Sequence, residues 1–228
     1  MKIVFSTGAG VSAESGISTF RDAGGLWEQY PVMQVCSVEG FHDNPELVHR
    51  FYNDRRKALL NASPNEAHKL IAKLQDYHDV KVITQNVDDL HERAGSKDVL
   101  HLHGELMKIR SVYDPDYIES LSPENLATSP ETVGANGHPM RPHIVFFGEA
   151  VPNMEKAVQL VNDADMFVVI GTSLNVYPAA GLVQYTRPGT PIIYIDPNPA
   201  SISLPELTVI PQKATVGMRE LFDSLSKS

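Results

Sequence analysis

Cysteine and basic residues are scarce in this chain of 228 residues. Cys36 is the only cysteine, which excludes an intrachain disulfide and a zinc site built from cysteine thiolates. Lys and Arg together number 19 against 28 Asp and Glu, and the formal net charge is −9. A face that binds nucleic acid clusters Lys and Arg, so we expect no nucleic-acid partner.

Long apolar runs are missing as well. No stretch of the sequence is long enough to span a membrane, and we expect no membrane partner. Hydrophobic residues make up 42% of the chain and charged residues 21%, as in an ordinary soluble globular protein. The near absence of cysteine favours a reducing, cytoplasmic location, and we expect a monomer.

Short apolar runs alternate with helical patterns along the chain. The runs that predict strands are Ile3–Phe5, Val80–Ile83, Val99–Leu102, Ile144–Phe147, Met166–Ile170 and Pro191–Ile195. The patterns that predict helices are Pro45–Asn61, Asn65–Gln75, Asn153–Asp163 and Gly217–Ser226. The runs are continuous, as in parallel strands that are covered on both faces. The predicted fold class is therefore α/β, a doubly wound Rossmann-like parallel sheet.

Residues 111–140 interrupt this alternation. They are rich in Pro, Ser, Asn, Asp and Gly and have little apolar periodicity, which indicates a small inserted lobe. We predict a single domain over 1–228, made of the following parts: a Rossmann-like core over about 1–30, 75–110 and 141–228, a helical insertion over about 31–74, and the lobe at about 111–140.

Glycine-led turns and polar residues follow the predicted strands, where the ligand of an open α/β sheet lies. Gly8-x-Gly10-x-x-Ala13 matches the relaxed dinucleotide loop, whose free N–H groups favour phosphate. The acid that usually ends the second strand is not found, because Glu28 has the spacing but lies in no predicted strand. Asp196 is a better candidate for binding ribose hydroxyls.

Thr84, Gln85, Asn86 and Asp88 directly follow a predicted strand, and a turn needs fewer polar residues than this. The stretch is either an unusually polar turn that leads into a helix or a hydrogen-bonding floor for a ligand. The residue pattern alone leaves both readings open.

His103 has three candidate roles. His101 and His103 lie two residues apart on one side of a predicted strand, as metal ligands sometimes do, but the other histidines lack a recognisable ligand spacing. A structural histidine is the second reading. The third is a general base, because a neutral imidazole at a polar strand end can accept a proton near pH 7.

Tyr52 and Arg55 lie three residues apart and hence on one helix face. They are either a surface tyrosine and an arginine paired with a carboxylate, or a hydroxyl and a guanidinium that together bind an anion.

Several segments occur in a fixed order: GAGVSAESGISTFRDAGGLW (8–27), TQNVDDLH (84–91), HLHGEL (101–106), RPHIVFFGE (141–149) and GTSLNVYPAA (171–180). In order and spacing they resemble the sirtuins, NAD-dependent protein lysine deacylases, from about Ile3 to Phe222. The YxxR spacing of Tyr52 and Arg55 resembles the branch that removes succinyl and malonyl groups. The resemblance implies that acyl-lysine proteins or peptides are the partners.

The resemblance also implies roles for individual residues. His103 would be the catalytic base, and Asn86 and Asp88 would hold the nicotinamide carboxamide. The residues that would bind NAD are Gly8, Ala9, Gly10, Ser12, Ala13, Ile17, Phe20, Arg21, Trp27, Gln85, Asn86, Val87, Asp88, Gly171, Thr172, Ser173, Asp196, Pro197, Asn198 and Ala214. The residues that would bind substrate are Tyr52, Arg55, Val145, Phe147, Gly148, Glu149, Asn175, Val176 and Tyr177.

In the reaction that this resemblance implies, NAD is a co-substrate that is consumed rather than reduced. The acyl oxygen attacks the ribose carbon as nicotinamide leaves, and His103 deprotonates a ribose hydroxyl. The products would be nicotinamide, 2′-O-acyl-ADP-ribose and free lysine. Removal of succinyl and malonyl groups, and of acetyl groups as well, is expected.

The chain departs from the family pattern in several places. Most sirtuins carry two CxxC zinc pairs where this chain has residues 111–140, which contain no cysteine, and Ser111 stands at the first expected position. Zinc is therefore not expected, and the lobe is either held by its own packing or mobile. Asp196 replaces the usual asparagine, and Phe146 stands where tryptophan is frequent.

Two other classes of function make different predictions. A module that senses NAD or ADP-ribose without chemistry would have lost His103 or Asn86, and both are present. An oxidoreductase would need a second-strand acid and hydride-transfer residues, which the sequence does not show. Mono-ADP-ribosyl transfer stays open as a side activity.

Overall fold

A computed structural model describes residues 1–18 and 30–226 of the protein. Its strands are β1 (Lys2–Thr7), β2 (Asp79–Thr84), β3 (Val99–His101), β4 (Gly104–Ser111), β5 (Ile118–Ser120), β6 (Met140–Ile144), β7 (Met166–Ile170), β8 (Ile192–Ile195) and β9 (Leu207–Ile210). Its helices are α1 (Ala9–Ala13), α2 (Val32–Val35), α3 (Val38–Asp43), α4 (Pro45–Asn61), α5 (Glu66–Lys73), α6 (Leu90–Arg93), α7 (Met154–Asn162) and α8 (Ala214–Leu225). Short 3-10 helices cover Leu74–Asp76 and Ala179–Tyr185. Among these described elements, no helix is both long and apolar enough to cross a membrane.

The larger sheet is parallel, which confirms the predicted fold class. Its strand order is β3-β2-β1-β7-β8-β9, and each neighbouring pair is parallel. The order reverses between β1 and β7, so this is the switch point at whose carboxyl edge α/β proteins bind ligands. The edge strand β9 was not predicted, because its residues are only partly buried and the sequence lacks a strong apolar run there.

Both faces of the larger sheet are buried because successive strand residues point to opposite sides. Phe5 shares one apolar cluster with Ile71 of α5 and Met218 of α8. Val4, the preceding residue, lies in another cluster with Val161 of α7. Helices therefore cover the sheet on both sides, as a continuous apolar strand requires.

The predicted strand Ile144–Phe147 is wrong in position and in partner. The strand in this region is β6, and it pairs antiparallel with β4 in a smaller sheet that also contains β5. The apolar run continues past Ile144 for a different reason, since Phe146 is buried in the cluster beneath α2–α4. The inserted lobe thus contains strand structure where the sequence indicated only loops.

Helix α5 packs against the larger sheet through residues such as Ile71. This helix, within the stretch of about 31–74 predicted as a helical insertion, is thus in contact with the Rossmann-like core. Helices α2–α4 form a third apolar cluster with β4 and β6, to which Val48, Phe51 and Leu106 belong.

Arg56 on α4 holds the inserted lobe in place. Its side chain is fully buried, with Nε donating to the Leu106 carbonyl (2.9 Å) and Nη1 to the Thr128 hydroxyl (3.0 Å). Asn53, one turn earlier, donates to the Thr128 carbonyl (2.8 Å) and accepts from the Thr128 N–H (3.0 Å). Burial lowers the pKa of Arg56 to about 10, so the side chain stays charged at neutral pH. These bonds tie residues near 128 to a core helix.

We expect Arg56→Met to lower the free energy of unfolding by about 3 kcal/mol, because it leaves buried carbonyls without a donor. The matched control is Lys57→Met, since Lys57 is exposed and forms a surface ion pair with Asp54. That variant should change stability by no more than about 0.5 kcal/mol. Urea unfolding measures both, and hydrogen exchange at residues 121–128 shows whether the lobe loosens first. Equal stability of the two variants would contradict the role of Arg56.

Candidate functional site

The turns that follow β1 and β7 touch each other at the switch point. Gly10 donates its N–H to the Gly171 carbonyl (2.8 Å), and Gly8 donates to the Ile170 carbonyl (3.0 Å). A Cβ atom at Gly8 or Gly10 would lie 2.7 Å from atoms of Gly171 or Thr172, closer than van der Waals contact allows. Gly171 has φ +62°, which favours glycine. The packing of these loops therefore requires the glycines before any ligand is considered.

Asn86, Asp88 and Ser12 form a buried hydrogen-bonded group beside these glycines. The Asn86 amide donates to the Gly8 carbonyl (3.1 Å) and to the Ser12 hydroxyl (3.1 Å). The Ser12 hydroxyl donates to Asp88 Oδ2 (2.9 Å), and the Leu90 N–H donates to Oδ1 (3.2 Å). Burial raises the pKa of Asp88, and these two donors partly offset the rise. The stretch 84–88 is therefore more than a turn, because its side chains are fixed at the switch point.

Sequence reasoning missed a second polar layer behind this group. Thr7 and Thr84 face each other in the register of β1 and β2, and their hydroxyls are 2.9 Å apart. The Thr7 hydroxyl also lies 3.0 Å from His91 Nε2, and His91 contacts the ring of His68. Burial lowers the pKa of His68 to about 4. Two threonines at the ends of adjacent predicted strands were the available signal.

His103 is half-buried just after β3, and it is held as a neutral imidazole. Its Nδ1 lies 3.1 Å from the Gln85 carbonyl, which can only accept, so Nδ1 carries a proton, and in the neutral ring Nε2 is unprotonated. Burial lowers the pKa of His103, although the Gln85 carbonyl opposes this. In the described part of the chain Nε2 has no hydrogen-bond partner. The ring can therefore accept a proton at neutral pH, as a general base must.

The other predicted NAD-binding residues surround this centre. Gln85 donates to the Thr172 hydroxyl (3.4 Å), and Asp196 accepts from the N–H of Asn198 (2.8 Å) at the end of β8. The remaining residues lie on α1, after it, in the loops that follow β2, β7 and β8, or at the start of α8: Ala9, Ala13, Ile17, Val87, Ser173, Pro197 and Ala214. Phe20, Arg21 and Trp27 lie outside the described residues.

Tyr52 and Arg55 lie on α4, which packs on Phe146. Tyr52 is buried, its hydroxyl donates to Cys36 Sγ (3.5 Å), and burial raises its pKa well above the ordinary value. The Arg55 guanidinium lies 5.2 Å from the centre of the Phe51 ring. Within the described residues it makes no ion pair or hydrogen bond, and its Nε is buried without a partner. The ordinary reading of Arg55, a surface arginine paired with a carboxylate, therefore does not match the structure.

The segment 145–149, predicted to bind substrate, runs between His103 and α3. Val145 donates to the His103 carbonyl (2.9 Å), Phe147 donates to the Cys36 carbonyl (2.8 Å), and the Phe147 side chain is exposed. The other predicted segment, 175–177, includes Tyr177, which is 72% exposed. Over the described ranges no hydrogen bond joins these two segments, so a peptide strand inserted between them would not have to break one.

The Glu149 carboxylate accepts hydrogen bonds from groups of the protein itself. Oε1 accepts from Arg110 (2.8 Å) and Arg141 (2.7 Å), and Oε2 accepts from the Phe146 N–H (2.7 Å). Burial alone would raise the pKa of Glu149, but Arg141 and the other donors lower it. The side chain therefore fixes the shape of 145–149, and Gly148, at φ +95°, supplies the turn.

The polar groups at the switch point fit a dinucleotide better than a metal ion. Amide and carboxylate groups such as those of Asn86 and Asp88 are able to pair with a carboxamide, and a carboxylate such as that of Asp196 is able to accept from a hydroxyl. Over residues 1–18 and 30–226, no group of three or more His, Cys, Asp or Glu residues could hold a metal ion.

Comparisons with known proteins point to one family. The model of the Sir2 family matches residues 8–178. An NAD-dependent protein deacylase of Bacteroides thetaiotaomicron is 53% identical over 96% of this chain and 95% of its own length. One of Helicobacter pylori is 46% identical over 98% and 96%. A solved Sir2 homologue in complex with ADP-ribose has a TM-score of 0.89 and 38% identity, covering 99% of this chain and 92% of that one. The chain belongs to the Sir2 family.

Proposed function

We propose that this Sir2-family enzyme is an NAD-dependent protein lysine deacylase that prefers succinyl and malonyl groups and also removes acetyl groups. The observation that carries the preference is the half-buried guanidinium of Arg55, which has no ion-pair or hydrogen-bond partner among residues 1–18 and 30–226. Relatives of this chain are named NAD-dependent protein deacylases, and that name supports the reaction class.

A partly buried cation without a counter-charge is unfavourable, so a carboxylate ligand at Arg55 would be stabilising. Arg110 and Arg141 differ, because both guanidinium groups pair with the carboxylate of Glu149. Tyr52 lies one turn from Arg55, and its neutral hydroxyl would exchange the long bond to Cys36 Sγ (3.5 Å) for one to the carboxylate. A guanidinium and a hydroxyl together provide the charge-assisted hydrogen bonds that a terminal carboxylate requires.

The residues at the switch point would hold NAD, in agreement with the ADP-ribose found in a solved homologue. When bound, NAD supplies the ribose carbon that accepts the acyl oxygen and the nicotinamide that leaves. Asn86 and Asp88 would orient the carboxamide, and Ser12 keeps both side chains in place. His103 Nε2 would take the proton of a ribose hydroxyl, with its Nδ1–H anchored to Gln85.

The test is mass spectrometry of one lysine peptide carrying a succinyl, malonyl or acetyl group, incubated with and without NAD. We expect free lysine peptide and 2′-O-acyl-ADP-ribose only when NAD is present, and faster for succinyl and malonyl than for acetyl. The sharpest control is the terminal amide of the succinyl group, which has the same length but no charge. Equal rates for the acid and its amide would contradict the role of Arg55, and no NAD-dependent release would contradict the function.

A further inference from the structure

His101 lies two residues before the candidate base and is bound very differently. It is 9% exposed, with Nδ1 3.0 Å from the Asn86 carbonyl and Nε2 2.8 Å from Glu92 Oε1 on α6. A carbonyl and a carboxylate oxygen both accept, so both ring nitrogens must donate, which only an imidazolium can do. His103, bound to one carbonyl, needs a single proton.

The groups around His101 favour its positive charge. Burial alone would lower the pKa of His101, but Glu92, the Asn86 carbonyl and Glu105 raise it above 6.5. Glu92 remains a carboxylate, because His101 lowers its pKa against the effect of burial. The other charged or titratable groups that interact with these residues are Asp88, His91 and Lys108, and Lys108 pairs with Glu105.

The two histidines hold consecutive carbonyls of one peptide segment. His103 donates to the Gln85 carbonyl, and His101 donates to the Asn86 carbonyl. The backbone of His101 is itself fixed, since Asn153 before α7 donates to its carbonyl (2.8 Å). Glu92 lies on α6, just after the segment that carries Asn86 and Asp88. The His101 ring therefore connects the start of this segment, at the Asn86 carbonyl, to the helix that follows it.

We propose that His101, as a cation paired with Glu92, is a positioning residue that fixes the Asn86–Asp88 turn in the geometry that binds nicotinamide. The inference rests on the proposed function. His101 does not touch the reacting atoms and acts through the Asn86 carbonyl. A charge-assisted bond holds that carbonyl more firmly than a neutral imidazole would.

The first test is independent of catalysis. Nitrogen NMR of the His101 ring should show both nitrogens protonated at neutral pH in the wild-type protein. In Glu92→Gln the ring should become neutral at neutral pH, since its counter-charge is gone. A neutral ring in the wild type would overturn the proposal.

The second test measures binding and turnover. His101→Leu should weaken binding of NAD and nicotinamide by about tenfold in calorimetry, because a buried carbonyl loses its donor. The matched control is His78→Leu. His78 also contacts a backbone carbonyl, that of Leu225 (3.3 Å), at the end of α8. This variant should leave the affinity for NAD and nicotinamide unchanged. As the pH rises, kcat/KM for NAD should fall when His101 loses its proton. In Glu92→Gln this fall should occur at lower pH, because the counter-charge of His101 is gone. A loss of stability alone would not shift the pH profile.

The outcomes separate this inference from the proposed function. If the wild type binds NAD but deacylates nothing, the function fails, and the NMR and calorimetry still decide the role of His101. If the wild type is active and His101→Leu binds nicotinamide as His78→Leu does, the positioning role is overturned.

Discussion

Replacing His103 with asparagine is expected to lower kcat for deacylation by about 100- to 10,000-fold, the contribution of a positioned general base. The reason lies in the bonding of the ring. The Gln85 carbonyl fixes the proton on Nδ1 and leaves Nε2 free to accept. Because burial lowers its pKa, the base is unprotonated at neutral pH. An asparagine amide can hydrogen-bond but cannot take up a proton.

Steady-state kinetics with an acylated peptide measure the loss, and calorimetry with NAD shows whether the site is intact. The control is His138→Asn, because His138 is exposed in the inserted lobe. We expect the control to keep its activity and both variants to bind NAD. Near-normal turnover in His103→Asn would remove His103 as the base.

Replacing Arg55 with methionine should lower kcat/KM for a succinylated peptide by about 10- to 100-fold, because a charge-assisted interaction with the acyl carboxylate is lost. Deacetylation should change by less than about twofold, since an acetyl group carries no carboxylate. Methionine is an unbranched apolar side chain, so the change removes the guanidinium and its contact with the Phe51 ring while keeping the apolar part of the side chain.

Arg50→Met is the matched control, since Arg50 lies on the same helix and is exposed. It should leave the ratio of succinyl to acetyl turnover unchanged. In the wild type, increasing salt should lower kcat/KM for desuccinylation more than for deacetylation, because salt screens the attraction between Arg55 and the acyl carboxylate. Equal losses on both substrates in Arg55→Met would show that Arg55 supports the fold rather than the acyl preference.

The fold was largely predictable because the strands of the larger sheet are short, continuous apolar runs. Five of the six predicted strands lie in that sheet, at Ile3–Phe5, Val80–Ile83, Val99–Leu102, Met166–Ile170 and Pro191–Ile195. The sixth failed because burial of Phe146 under a helix produces the same apolar signal as a strand. Periodicity reports burial and does not report the partner against which a residue is buried.

The residues of the candidate site were named from the motifs, whereas their hydrogen-bond connections were not predicted. The motifs named His103, Asn86, Asp88 and Gly171, and the structure brings them to one edge of the sheet. Glu149, predicted to bind substrate, spends its carboxylate on Arg110 and Arg141. Arg56 was missed because residues 55–57, Arg-Arg-Lys, form a basic run that is typical of a solvated helix face, and only the packing shows that Arg56 is fully buried.

The sequence by itself determined the fold class, the family and the set of polar residues at the strand ends. Those properties follow from local patterns and motif order, which are encoded along the chain. The tertiary structure decided which acceptors surround His101 and His103, that Arg55 has no partner within the described residues, and how the inserted lobe is anchored. Each of these depends on which acceptors and charges lie within about 3 Å of a side chain, and those neighbours are distant in sequence.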